Sequence, residues 1–343
     1  MGKNNITTKL NYKEALLNYF SDILCMSAGI IIYRNVSYYK GFILQSVQQE
    51  ILILAFIYII FAFPYYLFLN SGRFSKAAQL ILGLLDFIKQ SMRYLKEKKK
   101  TEQRSLPSFS PAFRVAILFM MVKFFYIPVM LNFAADHVVN IEKEIMHILN
   151  KQSVHDSIYI IMIDILYLID TGLFSVGYLT ESKYLDNEVK SVEPTLLGWA
   201  VTLICYPPFN SIFGYVFPWP QTSLVTFENH YLTFLCRFLI LILIGLYLWA
   251  SIALGPKASN LTNRGIVPSG PYAFVRHPAY ISKNITWWIM SIPYMSIPAI
   301  VSGIGTNFIY YMRAVTEERH LSKDPDYIEY CKKVPWMFIP YVI

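Results

Sequence analysis

The sequence predicts an all-α fold: a polytopic membrane helical bundle of about six full spans, followed by a C-terminal bent helical hairpin and a short cytoplasmic helix. Three observations predict it. Charged residues make up only 15% of the chain, against about 25% in soluble domains, so solvent-facing material is scarce. Residues 51–69, 194–227, 238–255 and 284–312 carry no charge at all, and a helix needs roughly 20 apolar residues to cross a bilayer. Lys and Arg gather in alternate connections, as cytoplasmic loops require.

Spans fall near 15–34, 49–69, 113–133, 157–179, 194–217 and 231–254. Lys3, Lys9 and Lys13 place the N-terminus in the cytoplasm, and the basic 70–112 connection with Lys98-Lys99-Lys100 returns there after two crossings. The 134–156 connection sets Lys143 and Lys151 against Asp136, Glu142, Glu144 and Asp156, so it belongs outside. Lys183 and Lys190 bring 180–193 inside, 218–230 has no Lys or Arg, and 255–284 is inside with Lys257, Arg264, Arg276 and Lys283. Within the basic connection, 77–95 reads equally as an interfacial amphipathic helix or as a plain surface helix.

The uncharged stretch 284–312 is too long for one untilted crossing and short for two. Pro293 and Pro298 interrupt helical hydrogen bonding, and Gly303 and Gly305 let two arms pack closely. Arg313, Arg319, Lys323, Lys332 and Lys333 follow. A hairpin bent near 293–298 and returning to its starting face is therefore expected. One long tilted helix is the alternative, and it would place the flanking polar clusters on opposite faces.

The net charge of +8 is concentrated in the 73–104 loop, which suits topology and anionic lipid rather than nucleic acid. The four cysteines show no CxxC spacing, so neither a disulfide framework nor a metal site is expected. Di-iron hydroxylase chemistry needs HxxxH and HxxHH clusters, which the six histidines do not form. Asp164 and Asp170 are not a DxxxD pair, and His137, His147 and His155 are too far apart for a metal site. Asp22 interrupts the first apolar run, which argues against a cleaved signal peptide.

The chemistry-bearing residues flank the hairpin. Tyr272, Arg276, His277, Pro278 and Tyr280 precede it, and Glu317 and Glu318 follow. Ionisable clusters at a membrane edge are costly and mark functional sites. Arg captures carboxylate or phosphate bidentately, and Glu accepts from ammonium or ribose hydroxyls. Together they describe a pocket for a zwitterionic, sugar-bearing molecule. The plainer reading has Arg276 and His277 snorkelling to lipid phosphates.

The stretches Ser269-Gly270-Pro271-Tyr272, Arg276-His277-Pro278-Ala279-Tyr280 and Glu317-Glu318-Arg319-His320-Leu321 occur in an order that adds specificity. With Tyr327, Tyr330 and the closing Val334-Pro335…Pro340, they resemble the isoprenylcysteine carboxyl methyltransferase family and the related membrane phospholipid methyltransferases. The resemblance covers the last hundred residues or so. It implies S-adenosylmethionine held at the cytoplasmic face, with a lipid-like or prenylated acceptor arriving from the bilayer.

By that resemblance, Arg276, His277, Tyr280 and Glu317 contact the methionine or ribose part, and Tyr272 and Leu321 lie nearer the adenine. Pro278 belongs to the same motif, and Glu318, Tyr327 and Tyr330 support the wall. Arg276 would orient an acceptor carboxylate, and Glu317 or Glu318 would take a proton from an amine. The chain departs from the family at Ser282-Lys283, where a glycine is usual. Residues 1–240 would form the lipid-side bundle and 241–343 the cofactor-binding region. Both termini would be cytoplasmic, in a bacterial inner membrane.

Two alternatives stand beside it. Tyr330-Cys331…Val334-Pro335…Pro340-Tyr341 also resembles the tail of sterol-reductase-type enzymes. Their NADPH would need further cations, here Arg264, Lys283 and Arg313. A transporter would use the span charges Asp22, Lys123, Asp164, Asp170 and Arg237 as a path. It should show internal repeats, and none is visible.

Overall fold

The computed structural model describes residues 12–69, 73–96 and 106–342. Lys3, Lys9, Lys98-Lys99-Lys100 and Arg104 lie outside the described residues. Helices α1 (Tyr12–Asn35), α2 (Ser37–Phe42), α3 (Gln45–Pro64), α4 (Lys76–Lys96), α5 (Pro111–Leu149) and α6 (Val154–Leu179) come first. They are followed by α7 (Leu196–Leu203), α8 (Phe209–Val216), α9 (His230–Leu254), α10 (Pro278–Ser291), α11 (Ile297–Leu321) and α12 (Pro325–Lys333). Two short strands, β1 (Ser191–Val192) and β2 (Thr262–Asn263), pair antiparallel. The all-α membrane bundle is thus the observed class.

Among the described residues, α1, α3 with its continuation to Leu69, α5, α6 and α9 with its continuation to Lys257 are long and apolar enough to cross a membrane. Phe56 and Phe61 on α3 are 64% and 65% exposed, as expected for side chains that face lipid. The fifth expected span is corrected. Residues 194–217 form two helices of 8 residues each, α7 and α8. Pro207 and Pro208 stand between them, where proline removes the amide donor and disfavours a helical residue before it.

Packing divides the chain within α5 into Met1–Pro128 and Val129–Ile343, whereas the sequence suggests a functional boundary near 240. In the first unit, α1 packs on α3 and α4. Its Asp22 accepts from Tyr58 Oη (2.7 Å), Tyr66 Oη (2.5 Å) and Ser75 Oγ (3.0 Å).

In the second unit, α9 packs against α6 and α10, around Tyr159, Ile163, Val225, Ile240, Ile244 and Met290. The span charges there are matched locally. Arg237 Nη1 meets Asp156 at 2.7 Å, and His137 meets Asp164 at 2.7 Å. Asp170 accepts from Tyr247 Oη at 2.8 Å and from Ser251 Oγ. Unmatched charge inside a bilayer is expensive, and these contacts lower that cost.

The hairpin forms as expected. Helix α10 ends in a tight turn at Ile292–Tyr294, and Ser296 caps α11 by accepting from the Ala299 amide at 3.3 Å. Pro298 sits in the first turn of α11, where its missing N–H costs nothing. A Cβ at Gly303 would lie 2.7 Å from Trp288 and 3.0 Å from Trp219, so the bare glycine lets two indoles wedge at the bend. Helix α11 then runs back to bring Arg313–Leu321 beside the start of α10.

Candidate active site

The site is built where α6 and α9 end and α10 begins. The β1–β2 pair draws the 180–193 connection onto the loop after α9, with the Glu193 amide donating to the Leu261 carbonyl at 2.8 Å. Asn187 ties the same segments: its Nδ2 donates to Thr180 O and Pro256 O, each at 3.2 Å. Arg264 Nη1 donates to the Asn187 carbonyl at 2.7 Å, and burial lowers the guanidinium to about 10. Gly177 on α6 makes the contact possible, since a Cβ there would sit 2.0 Å from the Ala258 carbonyl oxygen. At Gly270, with φ +63, the left-handed backbone opens the Tyr272 turn.

The two sequence clusters meet. Arg276 Nε and Nη2 grip Glu318 at 2.7 and 3.1 Å. Its Nη1 donates to the carbonyls of Val334 (3.1 Å) and Pro335 (2.5 Å). The amides of Arg276 and His277 donate to Trp336 O and Met337 O at 3.0 and 2.9 Å, so this stretch staples the C-terminal tail. His277 Nε2 lies 3.2 Å from Glu318 Oε1. Burial would raise the Glu318 carboxyl, but the hydrogen bonds and charges of His277 and Arg276 outweigh it and hold it at about 2. One residue earlier, Glu317 Oε2 accepts from Tyr280 Oη at 2.6 Å. The Tyr280 ring stacks on His277, centroids 5.1 Å apart and 14° between planes.

Beside this double clasp lies an open-mouthed pocket of about 390 Å³, counted with the solvent at its mouth. Tyr280, Arg313, Thr316, Glu317, His320 and Leu321 line one side; Ser259, Asn260, Leu261 and Thr262 line another, with Glu193 and Thr202 completing it. Of the residues expected from sequence, Tyr280, Glu317 and Leu321 reach the pocket. Arg276, His277, Pro278 and Glu318 stand behind it. Tyr327, Tyr330 and Val334 pack with Tyr272 and Leu321 in an aromatic cluster, fastened by Tyr330 Oη donating to the Tyr272 carbonyl at 2.7 Å.

Several lining residues are not legible in the sequence. Arg313 donates to Asn260 Oδ1, and its guanidinium lies 5.1 Å from the Tyr280 ring centroid, 5.7 Å from Tyr206 and 5.8 Å from Tyr310. From sequence it stands only as a phosphate cation. Glu193, 3% exposed, accepts on Oε1 from the Thr195 amide (3.0 Å), Thr195 Oγ1 (2.5 Å) and Arg319 Nη2 (2.9 Å). Its Oε2 is buried without a hydrogen-bond partner. A lone carboxylate at the edge of an apolar stretch is the only signal the sequence offers for it. His320 bonds Ser191 Oγ through Nε2 at 2.9 Å, and burial lowers its pKa, favouring the neutral ring. The pocket therefore presents Glu317, Arg313 and Glu193, the last already paired with Arg319 through Oε1.

Residues 231–324 match the Phospholipid methyltransferase family. That stretch holds α9, the pocket loop and the hairpin with both halves of the clasp, while Glu193 and Thr202 precede it. No curated protein and no solved structure matches the chain.

Proposed function

We propose that this protein is an integral membrane methyltransferase that binds S-adenosylmethionine in the pocket between the 258–262 loop and α11 and methylates a lipid-like acceptor. The family match supports methyl transfer. The observation that carries the cofactor assignment is the set of polar groups at the pocket beside the clasp: the Glu317 carboxylate and the bare Oε2 of Glu193, with the Arg313 guanidinium among them. S-adenosylmethionine, with an ammonium and ribose hydroxyls to donate and a carboxylate to accept, suits that lining. The unpartnered Glu193 Oε2 is an orphan acceptor of the kind a bound ligand satisfies.

A nicotinamide dinucleotide fits less well. Its phosphates would face Glu193 and Glu317, and two of the three cations expected to serve them are committed elsewhere. Arg264 donates to backbone carbonyls, and Lys283 Nζ sits 5.2 Å from the ring centroids of both Tyr247 and Trp287.

When bound, the cofactor supplies an electrophilic methyl group, whose bonding electrons stay on sulfur as the acceptor lone pair takes the carbon. The chain holds the partners in line, a contribution of several kcal/mol when geometry is near-attack. Arg313 suits the cofactor carboxylate. Glu317 faces the pocket and is placed to receive a proton if the acceptor is an amine, whereas a carboxylate acceptor needs no base. Glu318, ionised down to about pH 2 and spent on Arg276, acts as a positioning residue. The distribution of Lys and Arg supports a cytoplasmic mouth.

Calorimetry on detergent-purified protein tests the reading. S-adenosylhomocysteine should bind and NADPH should not. Binding of NADPH alone, or of neither, overturns it.

A further inference from the structure

Glu193 belongs to neither the clasp nor the matched region, yet it is the most deeply buried carboxylate at the pocket. Every donor that touches it goes to one oxygen: Thr195, by its amide and its hydroxyl, and Arg319 all bond Oε1. Oε2 receives none. A buried carboxylate oxygen left bare costs the full desolvation of that atom, and the fold has gone out of its way to keep it. Gly198 on α7 leaves room for the side chain, since a Cβ there would lie 2.4 Å from Glu193 Cγ and 2.7 Å from Cδ. The Glu193 amide is pinned to Leu261 O at 2.8 Å, which sets the carboxylate against the 259–262 wall of the pocket.

The geometry points to Glu193 Oε2 as a cofactor-binding acceptor, contributed from outside the phospholipid methyltransferase region, that takes a hydrogen bond from an O–H or N–H group of the ligand. This rests on the methyl-transfer reading. In S-adenosylmethionine the groups of that chemistry are the ribose hydroxyls and the amino-acid ammonium. Arg319 pairs with Oε1 and leaves Oε2 open, so the acceptor is in place before the ligand arrives. The pocket is then a joint product of the connection before α7 and the hairpin. Residues 231–324 by themselves would lack one of its walls.

The test compares wild type with Glu193→Gln, which retains an oxygen for Thr195 and Arg319 and turns the other position into a donor. S-adenosylhomocysteine binding, read by calorimetry, should weaken by about tenfold or more, the usual weight of a hydrogen bond to a charged group. Arg319→Gln alters the donor to Oε1 and to Thr195 Oγ1 but touches nothing at Oε2, and should bind within about threefold of wild type; if it reproduces the full loss, Glu193 is structural and the inference falls. 5′-Methylthioadenosine, which keeps the ribose and lacks the amino acid, locates the contact. An equal loss assigns Oε2 to the ribose, and an unchanged affinity assigns it to the ammonium. Wild-type affinity for S-adenosylhomocysteine in Glu193→Gln overturns the proposal, whereas absence of binding in wild type overturns the methyl-transfer reading instead. Should Glu193→Gln not fold, Glu193→Asp keeps the charge, withdraws Oε2 by one methylene and is read the same way.

Discussion

Glu317 and Glu318 are neighbours in the chain but lie about 100° apart around α11, because a helix turns once in about 3.6 residues. That rotation sends one carboxylate to the pocket with Tyr280 and the other to the tail with Arg276 and His277. The difference has a pH signature. Glu318 titrates at about 2 in the folded chain, below the ordinary 4.5. A depressed carboxylate stabilises the fold above the unfolded value and loses that contribution as pH falls from about 4.5 toward 2. The unfolding midpoint of wild type should therefore fall more steeply across that window than the midpoint of Glu318→Gln. Parallel slopes would remove the ion pair from the stability of the tail. Near neutral pH the same variant should be destabilised by about 2 kcal/mol, since it leaves Arg276 with a weakened partner. At this scale the sequence is informative where residues form dense clusters. Tyr280 and Glu317 are legible because they sit in such clusters, whereas Glu193 has no charged residue adjacent to it in sequence and meets Arg319, 126 residues away, only in the folded chain. Arg276 and Glu318 are legible as members of one site but not as the ion pair they form, and the carbonyls of Val334 and Pro335 that occupy the guanidinium depend on a tail conformation that no spacing encodes.

Among the elements, the loop after α9 shows how packing reaches the chemistry. Its Ser259–Thr262 stretch lines the pocket, and its approach to α6 relies on Gly177. An added methyl there would meet the Ala258 carbonyl at 2.0 Å. That atom is backbone and cannot swing aside, so Gly177→Ala should cost about 1–3 kcal/mol. It should also weaken S-adenosylhomocysteine binding by displacing the wall. Gly245→Ala on α9 is the control, because nothing lies within 4 Å of its would-be Cβ and alanine favours a helix. Equal midpoints in thermal unfolding for the two variants would refute the role given to Gly177. Hydropathy reads the long helices well and the fifth span badly, for one reason: it measures apolarity over a window and is blind to continuity. The prolines supply what it lacks. Pro293 and Pro298 announce the hairpin bend, and Pro207-Pro208 carry the same message for α7 and α8, where the uncharged flanks mask it.

At the scale of the whole molecule, the pocket belongs to one unit alone. Every residue lining the pocket lies between Glu193 and Leu321, inside the Val129–Ile343 unit. The Met1–Pro128 unit has its own polar centre at Asp22, which takes hydrogen bonds from Tyr58, Tyr66 and Ser75. If that centre carried part of the reaction, as a transport path or an acceptor anchor would, its loss should be felt at the cofactor. If it only satisfies three buried hydroxyls, its loss should be felt in stability alone. Removing one partner from such a network costs about 1–3 kcal/mol, and none of its members lines the pocket. Asp22→Ala should therefore lower the unfolding midpoint while S-adenosylhomocysteine affinity stays within about twofold of wild type. A larger drop in affinity, with the protein still folded at the temperature of the titration, would mean that the N-terminal unit reaches the pocket energetically. The division of labour drawn from packing would then have to be abandoned. Acceptor turnover answers a separate question: a variant that keeps its affinity for S-adenosylhomocysteine yet loses methylation would place the lipid-recognising surface in the first unit.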